Sequence, residues 1–229
     1  MRNPVDRMTE GLPRPWRVAI DWIVTIVGAL AIVLAVKAWV VNPYRIPSSS
    51  MEPTLHCSGP SNGCLARFSD RVLANRFSLH FREPRRREVI VFDTPPQAQA
   101  SCGAGGTFVK RLIVLPGERW RMENGFVYVN GKRLDERYVQ DSRRGADTRE
   151  EERVPAGHFV MLGDNRTQSC DSRTWGSVPR ANLIGNVFAV YWPPNRISLS
   201  VSAALVVLGV VVPVRRRRRR GAGPPRRFR

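Results

Sequence analysis

Residues 18–41 form a 24-residue apolar run, broken only by Asp21 near its start and Lys37 near its end. A helix of about 20 apolar residues crosses a bilayer. Charges near either end can reach the interface along their stems. Trp16, Trp22 and Trp39 stand where interfacial aromatics belong. A cleaved leader fits poorly, because its apolar core would be too long and the run closes on Trp-Val-Val-Asn-Pro-Tyr rather than a small-residue cleavage site. A retained anchor is therefore expected, and whatever follows folds while tethered to a membrane.

A second apolar segment, residues 197–214, holds 18 residues without a charge and runs straight into six arginines. That pairing reads as a second transmembrane helix with a stop-transfer and positive-inside signal. The expected plan is a cytoplasmic leader (1–17), an anchor (18–41), an extracytoplasmic domain (42–196), a second span (197–214) and a basic cytoplasmic tail (215–229). Both ends then lie in the cytoplasm, and the folded domain sits on the outer face of the plasma membrane. The formal charge of +18 supports this reading, since half of it is the nine arginines of residues 215–229. A nucleic-acid binder would spread its basic residues over a folded face, so no nucleic-acid partner is expected.

Four cysteines on an outer face suggest disulfides. Three connectivities are open. Cys57 and Cys64 bracket a short Gly/Pro/Ser/Asn loop and favour each other, which would leave Cys102 with Cys170. Zinc is the competing use; His56 lies beside Cys57, but neither Cys-x-x-Cys nor His-x₃₋₅-His occurs. His56, His80 and His158 read as surface or edge residues.

Between the apolar segments, short β-type runs alternate with turn residues. They fall at 71–75, 88–92, 107–115, 119–122, 126–129, 158–162 and 186–192, with hairpin signals at Asn124-Gly125 and Asn130-Gly131. No 3.6-residue apolar period appears outside the two spans. The expected fold is mainly β, antiparallel and partly closed. Residues 94–106 and 141–153 read as irregular, the latter as a mobile charged loop.

Among 37 basic residues only Lys37, Lys110 and Lys132 are lysines. Arginine keeps its proton in a protein, whereas a buried lysine can lose it. Lys110, inside Phe108-Val109-Lys110-Arg111-Leu112-Ile113, is thus the cation suited to act as a base. Ser50 follows the anchor in a turn marked by Pro47, Ser48 and Pro53, and it has no obvious histidine partner to activate it. Each alone is unremarkable: serines before a proline often only make a turn, and strand lysines are usually solvated. A third cluster changes the balance. Asp164, Arg166, Ser169, Asp171 and Arg173 crowd into Gly163–Arg173, a density that suits an ion-pair network supporting a site.

Three runs carry a resemblance: Ser-Met-Glu-Pro-Thr-Leu from Ser50, Phe-Val-Lys-Arg-Leu-Ile-Val-Leu-Pro-Gly-Glu from Phe108, and Gly-Asp-Asn-Arg-x₃-Cys-Asp-Ser-Arg from Gly163. They resemble the signature boxes of bacterial type I signal peptidases, in order and behind a membrane anchor. Arg87-Glu88-Val89-Ile90-Val91-Phe92 resembles the remaining box, where the family usually has Gly-Asp in place of Arg87-Glu88. The likeness covers residues 42–192. It implies a serine endopeptidase that removes signal peptides from secreted preproteins after small residues at −3 and −1. In that reading Ser50 is the nucleophile and Lys110 the general base. Ser169 orients the lysine, and the Ser50 N–H and Ser48 hydroxyl stabilise the oxyanion. Asp164, Arg166, Asp171 and Arg173 hold the site's shape. Ile46 and Pro47 line the small-residue pockets. Ser49 stands where the family commonly has glycine. No metal or cofactor is implied; the partners are signal peptides, membrane lipid and the nearby secretion translocon. Against this stands a catalytically silent, membrane-anchored binding protein, favoured if Ser50 or Lys110 proved dispensable.

Overall fold

A computed structural model describes residues 13–39, 41–59, 62–103 and 105–199. The first element is helix α1 (Arg14–Trp39). It is long and apolar enough to cross a membrane, with mean hydropathy 2.1 in its most apolar window and none of that window packed against the rest of the protein. The helix stops at Trp39, and Val41 already belongs to β1 (Val41–Arg45), paired to Asn75. The apolar run therefore changes from helix to strand before it ends, two residues ahead of the expected boundary at 41.

Fourteen further elements follow: β2 (Arg71–Asn75), α2 (Ser78–Phe81), β3 (Val89–Asp93), α3 (Pro96–Cys102), β4 (Thr107–Val114), β5 (Arg119–Glu123), β6 (Phe126–Val129), β7 (Lys132–Arg133), β8 (Arg149–Arg153), β9 (His158–Leu162), α4 (Ser172–Trp175), β10 (Val178–Pro179), β11 (Leu183–Trp192) and β12 (Ser198–Leu199). They build an eight-stranded antiparallel sheet, ordered β1-β2-β11-β3-β4-β9-β10 with β12 on β11, and a four-stranded sheet ordered β7-β6-β5-β8. Register shifts interrupt the pairing of β11 with β2 and β3, and of β4 with β9. Such bulges bend strands and raise their twist, and the large sheet curls into a half-barrel.

Strands β4 and β9 explain their own unbroken apolar sequences. Leu112, Phe159 and Met161 pack in one cluster, while Ile113, Val114, Val160 and Leu162 pack in another. Successive strand residues point to opposite faces, and here both faces are covered. A third cluster, of Ile46, Met51, Leu55, Cys57, Val72 and Val190, lies under the turn after β1.

Three expectations change. Residues 149–153 are not loop but β8, an edge strand on β5. Its sequence Arg-Glu-Glu-Glu-Arg is almost wholly exposed, and charge on an edge strand blocks further pairing. Within the irregular stretch 94–106, Pro96 starts helix α3, where its missing N–H costs nothing, and Gly103 closes it at φ 64°. At the start of the second apolar segment, Ser198 and Leu199 are strand, pairing with Val190 and Ala189. Residues 200–214 of that segment, the basic tail and residues 1–12 of the leader lie outside the described residues.

Candidate active site

Ser50 sits in a single 3₁₀ turn, Ser49–Met51, directly after the extended run that continues β1. The Ile46 N–H still bonds the Asp70 carbonyl at 3.0 Å, so the chain enters the turn from a fixed direction. Met51 is buried beneath it, and the Glu52 carboxylate accepts from the Cys57 and Leu65 N–H groups at 3.0 and 3.1 Å. Glu52 also bonds the His56 ring, which gives that histidine a structural partner. From the opposite side, the Asn165 N–H donates to the Ser50 carbonyl at 3.1 Å, and its side-chain amide donates to the Ser49 carbonyl at 3.1 Å. The Ser49 hydroxyl donates to Gln168 at 2.9 Å. No left-handed backbone occurs at Ser49, so a side chain fits there and is used as an extra tether. The Ser48 and Ser50 hydroxyl oxygens are 3.3 Å apart.

Lys110 lies in β4, between β3 and β9, and is 3% exposed. Its amine is 5.6 Å from the centre of the Phe108 ring. Burial disfavours the charged ammonium and lowers its pKa from 10.5 to about 8; Asp171 opposes this most, Arg173 reinforces it, and Asp164 opposes it. Ser50 and Lys110 line one cleft of about 370 Å³, with Tyr44 to Ser48 along one wall and Thr107 to Val109 along the other. The expected pocket residues Ile46 and Pro47 are both in that lining.

The Gly163–Arg173 loop supports the site through partners beyond itself. Buried Asp164 takes two hydrogen bonds from Arg111, at 2.8 and 2.5 Å, and one from Thr54 at 2.5 Å. Buried Arg166 pairs with Glu136 and bonds the Gly163 carbonyl at 3.0 Å. Asp171 accepts from Arg173 and from the Gly163 N–H at 2.9 Å. Burial pushes the Asp171 carboxyl up, but the hydrogen bonds and charge of Arg173 more than offset it and hold the pKa below the usual range. Gly163 leaves no room for a side chain: a Cβ there would meet the Ser50 carbonyl oxygen and Ser169 Cβ at 2.5 Å. The Ser169 hydroxyl is buried and has no hydrogen-bond partner among the described residues, so the expected bond to Lys110 is not formed here. Cys57 is joined to Cys64, and Cys102 to Cys170, the latter tying α3 to the residue after Ser169.

Sequence reasoning passed over Arg111 and Glu136, the partners of Asp164 and Arg166. The signal for Arg111 was present, since an arginine amid Leu-Ile-Val in a strand buried on both faces needs a carboxylate. Glu136 lies in an ordinary charged stretch and carried no such mark.

A serine hydroxyl on a braced turn, sharing a cleft with a buried lysine of depressed pKa, has the parts of a hydrolase that uses an amine as base. The family model described as "Signal peptidase, peptidase S26" matches residues 19–192. The chain is 38% identical over 200 residues to signal peptidase I of Leptolyngbya laminosa, covering 86% of this chain and 91% of that one. It is 38% identical over 175 residues to a probable signal peptidase I-2 of Synechocystis sp., covering 76% and 74% of the two chains. Signal peptidase I P of Bacillus subtilis subsp. natto is 30% identical over 187 residues, covering 78% and 91%. A crystal structure of a signal peptidase I from Enterococcus faecalis V583 aligns with 46% of this chain and 97% of its own, at 32% identity and a TM-score of 0.37. The chain belongs to the signal peptidase family, peptidase S26.

Proposed function

We propose that this chain is a membrane-anchored serine endopeptidase that removes signal peptides from secreted preproteins, with Ser50 as nucleophile and Lys110 as general base. The observation that carries the reading is the shared cleft: a hydroxyl on a fixed turn and an amine whose pKa burial has brought to about 8. Neutral Lys110 takes the Ser50 proton as the oxygen attacks the scissile carbonyl carbon. The resulting ammonium then protonates the departing amine, and water hydrolyses the acyl-enzyme. The Ser50 N–H and Ser48 hydroxyl stabilise the oxyanion; one such donor is typically worth about 10²–10³ in rate. Ser169 turns toward the amine as the site loads, and the pairs Asp164–Arg111, Arg166–Glu136 and Asp171–Arg173 keep the Ser50 and Lys110 walls in register.

The substrate binds extended along β1, which is an edge of the large sheet. Small side chains at −1 and −3 enter the pockets at Ile46 and Pro47. Helix α1 spans the plasma membrane and holds the domain on its outer face beside the translocon, where signal peptides emerge. The test is cleavage of a preprotein bearing an Ala-x-Ala site by detergent-solubilised protein. Wild type is expected to cut after the second alanine, whereas Ser50→Ala, Lys110→Ala and Lys110→Arg lose about 10⁴-fold or more. Lys110→Arg keeps the charge but cannot give a neutral base. Equal activity in all four proteins would remove both residues from the mechanism, and no activity in any would favour a silent binding protein.

A further inference from the structure

We infer that Arg45 sets a charge preference at the −2 residue of the substrate, favouring an acidic side chain and disfavouring a basic one; this rests on the peptidase reading above. Arg45 is the last residue of β1 and lines the cleft beside Ile46, Pro47 and Ser50. Its guanidinium makes no hydrogen bond or ion pair with any described residue and is exposed. Across the sheet it is paired directly with Arg71 of β2, also exposed. Like charges directly opposite each other repel, and this pair has no carboxylate of its own. Asp70, the residue before Arg71, is already held by Arg196 at 2.9 Å and by the His56 N–H at 2.8 Å. Arg45 on the cleft wall, with Arg71 opposite it rather than a carboxylate, is suited to an anionic group brought by the substrate.

The position follows from strand alternation. Tyr44 and Ile46 face inward and pack in the cluster beneath the turn. Arg45, between them, points to the other face. Side chains of directly paired residues on adjacent strands share a face. If the −1 and −3 side chains lie on the Ile46 face, then −2 lies on the Arg45 face, within reach of a long guanidinium.

The experiment uses the full-length protein in detergent and preproteins that differ only at −2, carrying Asp, Ala or Lys. The ratio of kcat/KM for Asp over Lys is read for wild type, Arg45→Ala and Arg45→Glu. Wild type is expected to favour Asp about three- to fivefold at low salt, the size of a partly exposed ion pair, with the ratio shrinking as salt rises. Arg45→Ala brings the ratio near unity, and Arg45→Glu inverts it. A wild-type ratio near unity, or the same ratio in all three enzymes, overturns this inference while leaving the peptidase reading intact. Failure of wild type to cut even the Ala substrate overturns both.

Discussion

On one wall of the cleft Ser50 rides a three-residue turn held by hydrogen bonds from Asn165 and by the one that Ser49 donates to Gln168. On the other, Lys110 is part of a central strand, held by the β3 and β9 ladders and surrounded by core. The first wall fixes where an atom sits; the second fixes how readily an atom holds its proton. A turn can place a hydroxyl to within tenths of an ångström but cannot change its acidity. A strand buried on both faces strips water from an amine, and that is the largest cause of its lowered pKa. The two walls should therefore fail differently when damaged.

The largest separation is expected from Gly163→Ala. The new methyl group would collide with the Ser50 carbonyl and Ser169, pushing the turn out of place. Misplacement of this kind costs about 10² in rate, and the pH at which activity rises should not move, since no charge and no apolar neighbour of Lys110 is removed. A shifted pH midpoint would show that the walls are not separable. Next in size is the stability of Lys110→Met. In wild type the amine's folded pKa lies below its unfolded value, so charge burdens the native state at pH 7 and the burden lifts as pH rises from about 8 to 10.5. The methionine variant should thus be more stable than wild type by roughly 1–3 kcal/mol at pH 7, with the gap closing by pH 10.5 in denaturant titrations. A gap that persists at high pH would assign the effect to packing. The smallest change is expected from Asp171→Asn, which removes the carboxylate that most opposes the lysine's shift. The rising limb of kcat/KM against pH should move to lower pH; movement upward would contradict the electrostatic account.

Much of this was legible in the sequence, for physical reasons that can be named. Strands β2, β6 and β9 were read to the residue, and β4 and β5 to within one, because buried faces impose apolar runs and Gly or Pro closes them. Strand β8 was not read, since an edge strand exposed along its length has no apolar face and its charge looks like a loop. Strand β1 was not read, since only its first residue, Val41, belongs to the apolar run and the Asn42-Pro43 that follows looks like a turn. Arg87 stands at φ 74°, the left-handed region that glycine adopts freely, which fits the glycine that the resemblance sets at this position. Its N–H and carbonyl are both used, bonded to Leu112 and Arg111 at 2.8 Å, so the turn is kept despite a cost of about 1–2 kcal/mol. In the site, Ser50 and Lys110 were legible because each is an odd residue for its place. Their supports were only half legible: the loop's charges were visible, but Arg111 and Glu136 are 53 and 30 residues distant from their partners, and a single sequence carries no pairing across such gaps.

The most direct test is to titrate the Lys110 amine itself, by heteronuclear NMR of its Nζ and Cε in full-length Ser50→Ala protein in detergent. Only three lysines contribute signals. A midpoint of about 8 is expected for Lys110. A midpoint near the ordinary 10.5 would mean that burial does not prepare the base, and the division of labour between the two walls would fall with it.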